Sequence, residues 1–303
     1  MLQLDKAEIA ARLPWPALVE ALRAMFVAGC QAPLRHRHPL PADGTLLLMP
    51  AVSATHSGVK IVHVAPGNTA RGQASVNAAY LLSDAVTGVP IALLDGGELT
   101  DRRTAAASIL AARYLARPES RRLLVLGSGK VAAALAEAYA ASFPLEEIAI
   151  WSRRAEKAEA LAARLAAHGV PARATADPDP AGFDIVSAAT LSREPLIHGG
   201  ALSTGTHVDL VGAFRADMRE TDGAALARAL VVVDTRAGGL AEAGDVVQAI
   251  AEGHITEADI AAELSELCKG RHPGRTSPEQ ITLFKSVGWA GEDLAAAILA
   301  TQA

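Results

Sequence analysis

The stretch LLVLGSGKVAAALAEAY, residues 123–139, constrains the fold more than any other part of the chain. An apolar run stops at Gly127, and Gly127, Gly129 and Ala132 then follow in the order GxGxxA at the head of an alanine-rich helical segment. That is a strand, a tight turn and a helix. Glycines in such a turn let backbone N–H groups approach a pyrophosphate, which the helix N-terminus also attracts. The triplet is weak by itself, but its context repeats. IAIWS, ARAT, FDIVSAAT, THVDLVGA and LVVVD are short apolar runs spaced by helical patterns such as AEKAEALAARLAA. This alternation predicts an α/β fold, a Rossmann-type doubly wound nucleotide-binding domain, over residues 118–275.

Gly127, Ser128, Gly129, Lys130 and Val131 form the expected phosphate-binding turn. A fold selective for NAD offers an acid about 20 residues on, at the tip of the second strand, to hold the ribose 2′-OH. This chain has Ser152-Arg153-Arg154 there. Guanidinium groups suit a 2′-phosphate, so NADPH is the expected cofactor and NADH the alternative. The competing reading is a solvated arginine pair at a helix start. Thr190 and Val211-Gly212 end two further strands on the edge where a dinucleotide binds, and join the candidates.

The remaining residues read as an α+β domain. Asp5 caps a first helix, and Pro14 or Pro16 opens a second whose Leu18, Leu22, Met25 and Phe26 recur at helical spacing. Strand-like runs at 45–49, 59–64, 76–82 and 90–94 alternate with turn signals, which predicts a largely antiparallel sheet. A helix runs from about residue 100 to 116, ahead of a break at Arg117-Pro118. The late strand ITLFKSVG and the helix after it are expected to complete this first lobe, which gives 1–117 with 276–303 as one domain and 118–275 as the other.

The formal charge of -5 argues against an electrostatic grip on nucleic acid or anionic membrane, and favours a small metabolite. Cys30 and Cys268 match no metal spacing, and His36 and His38 form an HxH pair without a third ligand, so no metal site is expected. The start MLQLDKAEIAARL has no long apolar region and no apolar run reaches ~18 residues, so a cytoplasmic protein with reduced thiols is expected. Glu242 and Asp245 read as solvated helix-end acids, and His56, His63 and His207 as polar surface or cleft residues.

PLRHRHPL…LLLMP, SGVKIVHVAPGN, LLSDAVTGVPIALLDGGELTDRRTAAASILAARYLA, GSGKVA and LFKSVGWAGEDLAAA together resemble the ornithine cyclodeaminase/mu-crystallin family over essentially the full length. The resemblance implies a homodimer built through the N-terminal lobe, with substrate and nicotinamide meeting between lobes. It implies that Arg35, Lys60 and Arg103 bind the substrate carboxylate, with Ser75 near them. It places Thr104 close to the cofactor phosphates and Ser286 on a strand beside the nicotinamide. The chemistry is coherent: a 2-imino acid presents a planar carboxylate, which arginine forks and an ammonium can orient for hydride transfer. Each residue has a duller reading. Arg103 could pair with Asp101 or Asp95, Lys60 could point to solvent, Arg37 competes with Arg35, and Ser75 and Ser286 could be structural strand serines. Trp289 replaces the family's usual small residue and is expected to narrow the pocket.

In cyclodeaminases the segment after the strand THVDLVGA resembles GADxPGKxEL, whose Asp helps ammonia leave and the ring close. Here Phe214 occupies that place, and RADMRE resembles the ketimine-reductase branch. A phenyl ring cannot carry a proton. Asp217 reads as the cap of the following helix rather than a substitute acid. The expected function is NADPH-dependent reduction of Δ1-pyrroline-2-carboxylate to L-proline, with Δ1-piperideine-2-carboxylate as a further substrate. The rivals are an ornithine cyclodeaminase, an alanine dehydrogenase, and a protein that binds NADPH and a small ligand without turnover.

Overall fold

The computed structural model describes residues 1–302. It opens with β1 (Leu2–Leu4), α1 (Lys6–Arg12), α2 (Trp15–Ala28), β2 (His36–Leu40), β3 (Gly44–Val52), β4 (His56–Val64), β5 (Val76–Asp84), β6 (Pro90–Asp95) and the long α3 (Gly96–Leu115). Then come β7 (Arg122–Leu126), α4 (Lys130–Ser142), β8 (Glu147–Trp151), α5 (Ala155–Ala166), β9 (Ala172–Ala174), β10 (Ile185–Ala188) and β11 (His207–Leu210). The chain ends with α6 (Gly223–Arg228), β12 (Leu230–Val233), α7 (Arg236–Ala241), α8 (Gly244–Ala251), β13 (Ile260–Glu263), α9 (Leu264–Cys268), β14 (Thr282–Lys285) and α10 (Ala290–Gln302). Two compact units result, Met1–Arg103 with the stretch from Trp289 onward, and Thr104–Gly288.

The first unit holds a six-stranded sheet in the order β1-β6-β5-β4-β3-β2, antiparallel except where β1 runs parallel to β6. Asp5 caps α1 as the sequence predicts, in a reciprocal pair of bonds with Glu8. Pro39 falls in β2, at the sheet edge, where a missing N–H is tolerated. Register aligns Met49, Lys60, Tyr80 and Leu94 across four strands on one face, and all four are buried. Helix α10 packs on β3, β4 and β5 from within the same unit. The opposite face carries Leu48 and Ile61 in one row and Val59, Leu81 and Leu93 in the next, with Leu93 exposed and the others half-buried.

The second unit is an eight-stranded parallel sheet, β13-β12-β14-β11-β10-β7-β8-β9. Leu123–Leu126 and the whole of β10 and β11 are buried, the pattern of strands covered on both faces. Strand order reverses between β7 and β10, the switch point at which open α/β sheets bind ligands. At the sheet centre the buried Asp209 accepts hydroxyl bonds from Ser108, Ser187 and Tyr139, which ties α3 and α4 to β11. Burial pushes its carboxyl up to about 6 against those bonds.

Three expectations need correction. Strand β14, expected to complete the first lobe, lies in the parallel sheet between β11 and β12, and only α10 joins the first unit. The reason is visible in TLFK, buried at all four positions, as an interior parallel strand requires. The unit boundaries fall at 103/104 and 288/289 rather than 117/118 and 275/276, since the second half of α3 bonds to Asp209. Asp222, not Asp217, caps α6, while Asp217 pairs with Arg215 and Arg193.

Candidate active site

In the first unit two buried cations meet two buried acids. Strand alternation turns Lys60 to the buried face, and the first turn of α10 supplies Glu292 and Asp293, where helix polarity favours acids. Lys60 Nζ lies 2.8 Å from Asp293 Oδ1, and Arg103 Nε donates to the same oxygen at 2.9 Å. Arg103 also donates to Glu292 Oε2 at 2.7 Å. Lys60 is 2% exposed, Arg103 5%, and both acids are fully buried. Burial and the Arg103 charge push the Lys60 ammonium down to about 8, Asp293 opposes them, and Arg35 lowers it further. The half-buried Arg35 is thus close enough for its charge to act on Lys60. Against burial, Arg103 and Lys60 hold the Asp293 carboxyl below its ordinary value. Its Oδ2 is buried and has no hydrogen-bond partner among the described residues.

Arg103 pairs with Glu292 and Asp293 rather than with Asp95 or Asp101, and Lys60 points inward rather than to solvent. Glu292 and Asp293 were not singled out from the sequence, though an acid pair inside the apolar helix of LFKSVGWAGEDLAAA was a usable signal. Ser75 is half-buried, and its carbonyl accepts from Ala65 N–H. Trp289 stacks on Phe26 with centroids 4.8 Å apart, and its ring lies where a Cβ on Gly291 would stand. The small residue at 291 is what accommodates the indole.

In the second unit a cavity of about 260 Å³ opens at the carboxyl ends of β7, β8 and β10. Gly127, Ser128 and Gly129 line one side, Ser152, Arg153 and Arg154 another, and Thr190 a third. Gly127 has φ 129°, and a Cβ there would come within 2.7 Å of the Ala189 carbonyl oxygen, so the turn requires glycine. A Cβ on Gly129 would meet nothing within 4 Å, so open space lies beside the α4 N-terminus, where a phosphate fits. Ser128 Oγ and Ser152 Oγ are 3.0 Å apart and join the β7 and β8 turns. Among the described residues no protein carboxylate engages either guanidinium of the exposed Arg153 and Arg154. Lys130 and Val131 begin α4, Thr104 is buried on α3, and Val211 and Gly212 follow β11.

Other residues take structural partners. Ser286 is buried and donates to Asp234 Oδ2 at 3.0 Å, and that oxygen also accepts from Val287 and Gly288 N–H, so the structural reading of Ser286 is the one with a visible partner. His207 is no surface residue: it is fully buried, bonded to Thr282 Oγ1 at 3.0 Å, and burial with the Arg275 charge pushes it down to about 3. Asp245, read as a solvated acid, is fully buried 2.9 Å from Lys285 Nζ. Glu242 is 8% exposed and so not solvated either.

Comparison with known proteins finds relatives along nearly the whole chain. The model of the ornithine cyclodeaminase/mu-crystallin family matches residues 7–302. A Δ1-pyrroline-2-carboxylate reductase of Paracoccus denitrificans is 40% identical over 297 residues, which is 96% of this chain and 93% of the relative. The rat ketimine reductase mu-crystallin is 35% identical over 89% of this chain and 84% of its own. A solved structure of Thermococcus litoralis Δ1-pyrroline-2-carboxylate reductase with NADH and L-proline superposes with a TM-score of 0.94 at 34% identity, covering 100% of this chain and 97% of that one.

Proposed function

The chain belongs to the ornithine cyclodeaminase/mu-crystallin family, and from that premise we propose that it is an NADPH-dependent reductase of cyclic 2-imino acids, converting Δ1-pyrroline-2-carboxylate to L-proline. One observation carries the reading. Buried Lys60 and Arg103 converge on one oxygen of Asp293, with Arg35 near enough for its charge to act on Lys60, and such a cluster of cations suits the planar carboxylate of a 2-imino acid. An oxidoreductase acting on C=N bonds is what the family's named relatives support, among them the Thermococcus enzyme with NADH and L-proline.

NADPH, when bound, supplies the hydride that reduces the imine carbon. Gly127, Ser128, Gly129, Lys130 and Val131 would hold its pyrophosphate, with Thr104 near the phosphates. Ser152, Arg153 and Arg154 would hold the adenosine 2′-phosphate, and Thr190, Val211, Gly212 and Ser286 stand on the carboxyl edge of the sheet. Arg35, Lys60 and Arg103 bind and orient the substrate carboxylate, with Ser75 as a further polar group of that unit. The imine nitrogen must gain one proton as the carbon gains hydride. With its pKa near 8, Lys60 holds a proton that it can deliver at neutral pH. A Lys60→Met protein that kept its kcat would remove Lys60 from that path.

Phe214 supports reduction over cyclodeamination, because ammonia loss and ring closure call for an acid at that position. The half-buried apolar face of the six-stranded sheet supports a homodimer, to be checked by light scattering. Five- and six-membered rings differ by a methylene worth only ~1–3 kcal/mol in a pocket, so both are expected substrates. The deciding experiment assays cyclic and linear imino acids with NADPH and with NADH. Fastest turnover of the five-membered ring with NADPH supports the proposal. Ammonia release from ornithine with NAD+, or tight NADPH binding with no turnover of any imino acid, would replace it with one of the rivals.

A further inference from the structure

At the carboxyl end of a parallel sheet the strands peel apart, and their N–H groups lose ladder partners. Glu220 meets that need for two adjacent strands at once. Its Oε1 accepts from Thr190 N–H at 2.6 Å and Thr190 O–H at 2.8 Å, just after β10. Its Oε2 accepts from Gly212 N–H at 2.7 Å and Ala213 N–H at 3.2 Å, just after β11. The strand tips are so close that a Cβ on Gly212 would lie 2.0 Å from the Thr190 carbonyl oxygen. Glu220 itself is fixed from behind: Asp245 Oδ1 accepts from Glu220 N–H at 2.6 Å and Thr221 N–H at 3.0 Å. Lys285 at the end of β14 lies 2.9 Å from Asp245 and 3.9 Å from Glu220. All three charged residues are fully buried.

We propose that Glu220 is a positioning residue for the dinucleotide: acting through Thr190 and the Gly212-Ala213 backbone, it fixes the cavity wall against which the cofactor binds. This rests on the reading of that cavity as the NADPH site. Glu220 is not among the cavity-lining residues, whereas Thr190 is. Four donors converge on its two oxygens, an arrangement that suits a carboxylate and that an amide cannot reproduce, since its NH2 would face N–H groups. The network crosses β10, β11 and β14 together, so a shift in Glu220 displaces several strand tips at once.

The test measures NADPH affinity directly by fluorescence titration, with Tm alongside, on wild type, Glu220→Gln, Thr190→Val and the double variant. The expected result is an NADPH Kd raised by ~10-fold or more in E220Q, with a smaller rise in T190V, as loosened positioning implies. The double variant should show less than the sum of the two effects, because both act through one bond. Glu220→Asp, which keeps the charge, should recover part of the affinity. A purely structural role would lower Tm and leave the Kd of folded protein unchanged, and that result overturns the proposal. If E220Q does not fold, Glu220→Asp decides: it keeps the charge but its shorter side chain draws back from the Thr190 and Gly212 donors, and an NADPH Kd equal to that of wild type refutes the inference. Wild type that binds neither NADPH nor NADH would instead defeat the functional reading beneath it.

Discussion

Replacing Asp293 with Asn keeps the side chain's shape and removes the charge that Lys60 and Arg103 share. Lys60 now stands near 8 because burial and Arg103 lower it while Asp293, 2.8 Å away, raises it. An opposite charge that close is worth ~1–3 pKa units, so losing it carries Lys60 to roughly 6. At about pH 7.5 the charged fraction then falls from roughly 75% to roughly 3%, a ~25-fold loss of the form that grips a carboxylate, or ~2 kcal/mol in kcat/KM. The assay is kcat/KM for Δ1-pyrroline-2-carboxylate against pH at saturating NADPH. That parameter reports the free enzyme and free substrate, and the substrate's own titration is common to both proteins, so the difference belongs to the enzyme. The basic limb is expected to move from about pH 8 to about 6, with kcat/KM partly restored at low pH. Tm will fall, because a buried ion pair is broken, and rates are compared only where both proteins are folded. A D293N profile whose basic limb stays at about 8 would refute the claim that Asp293 sets Lys60's charge for substrate binding.

Replacing both Arg153 and Arg154 with Ala should raise the KM for NADPH by ~10-fold or more and leave that for NADH within about threefold, since a charge-assisted grip on the 2′-phosphate is lost. Steady-state kinetics with each cofactor checks it, and equal effects on the two would contradict it. Gly129→Val and Gly212→Ala should part company: the first fills open space, abolishing NADPH binding with little change in Tm, while the second drives a Cβ into the Thr190 backbone and lowers Tm. Thermal melts with and without NADPH separate the two. His207, with a folded value of about 3 below its unfolded 6.5, stays neutral in the fold while the unfolded chain takes up a proton. Its contribution to stability is therefore complete above about pH 6.5 and declines as pH falls, by roughly 2 kcal/mol between pH 6.5 and 5. His207→Asn should flatten that part of the stability–pH curve, and an unchanged slope would count against the assignment.

What the sequence revealed followed from local rules. The β7 turn, the arginine pair and Thr190 were legible because strand, glycine turn and helix fix their own geometry, and the structure brings them to one cavity. Lys60 and Arg103 were legible as cations inside matched motifs, but their partners were not. Glu292 and Asp293 come from the far end of the chain, 189 and 190 residues from Arg103, and no local pattern encodes such a pairing. The same limit hid β14, whose apolar run fits either domain until its neighbours β11 and β12 are known. Asp245 and His207 were misread for a related reason. A charged or polar residue is ordinarily solvated, and only a distant counter-charge or hydroxyl, here Lys285 and Thr282, makes its burial tolerable.

The central claim, that the cluster of Arg35, Lys60 and Arg103 grips the substrate's carboxylate, is tested most directly by deleting that carboxylate from the substrate. Δ1-pyrroline and Δ1-pyrroline-2-carboxylate share the same C=N bond and ring, and each can be assayed with NADPH at pH 7. A site that orients its substrate through the carboxylate loses that orientation when the anion is missing, so kcat/KM for the bare ring should be lower by on the order of 10⁴. Comparable rates for the two compounds would show that the cations do not orient the substrate.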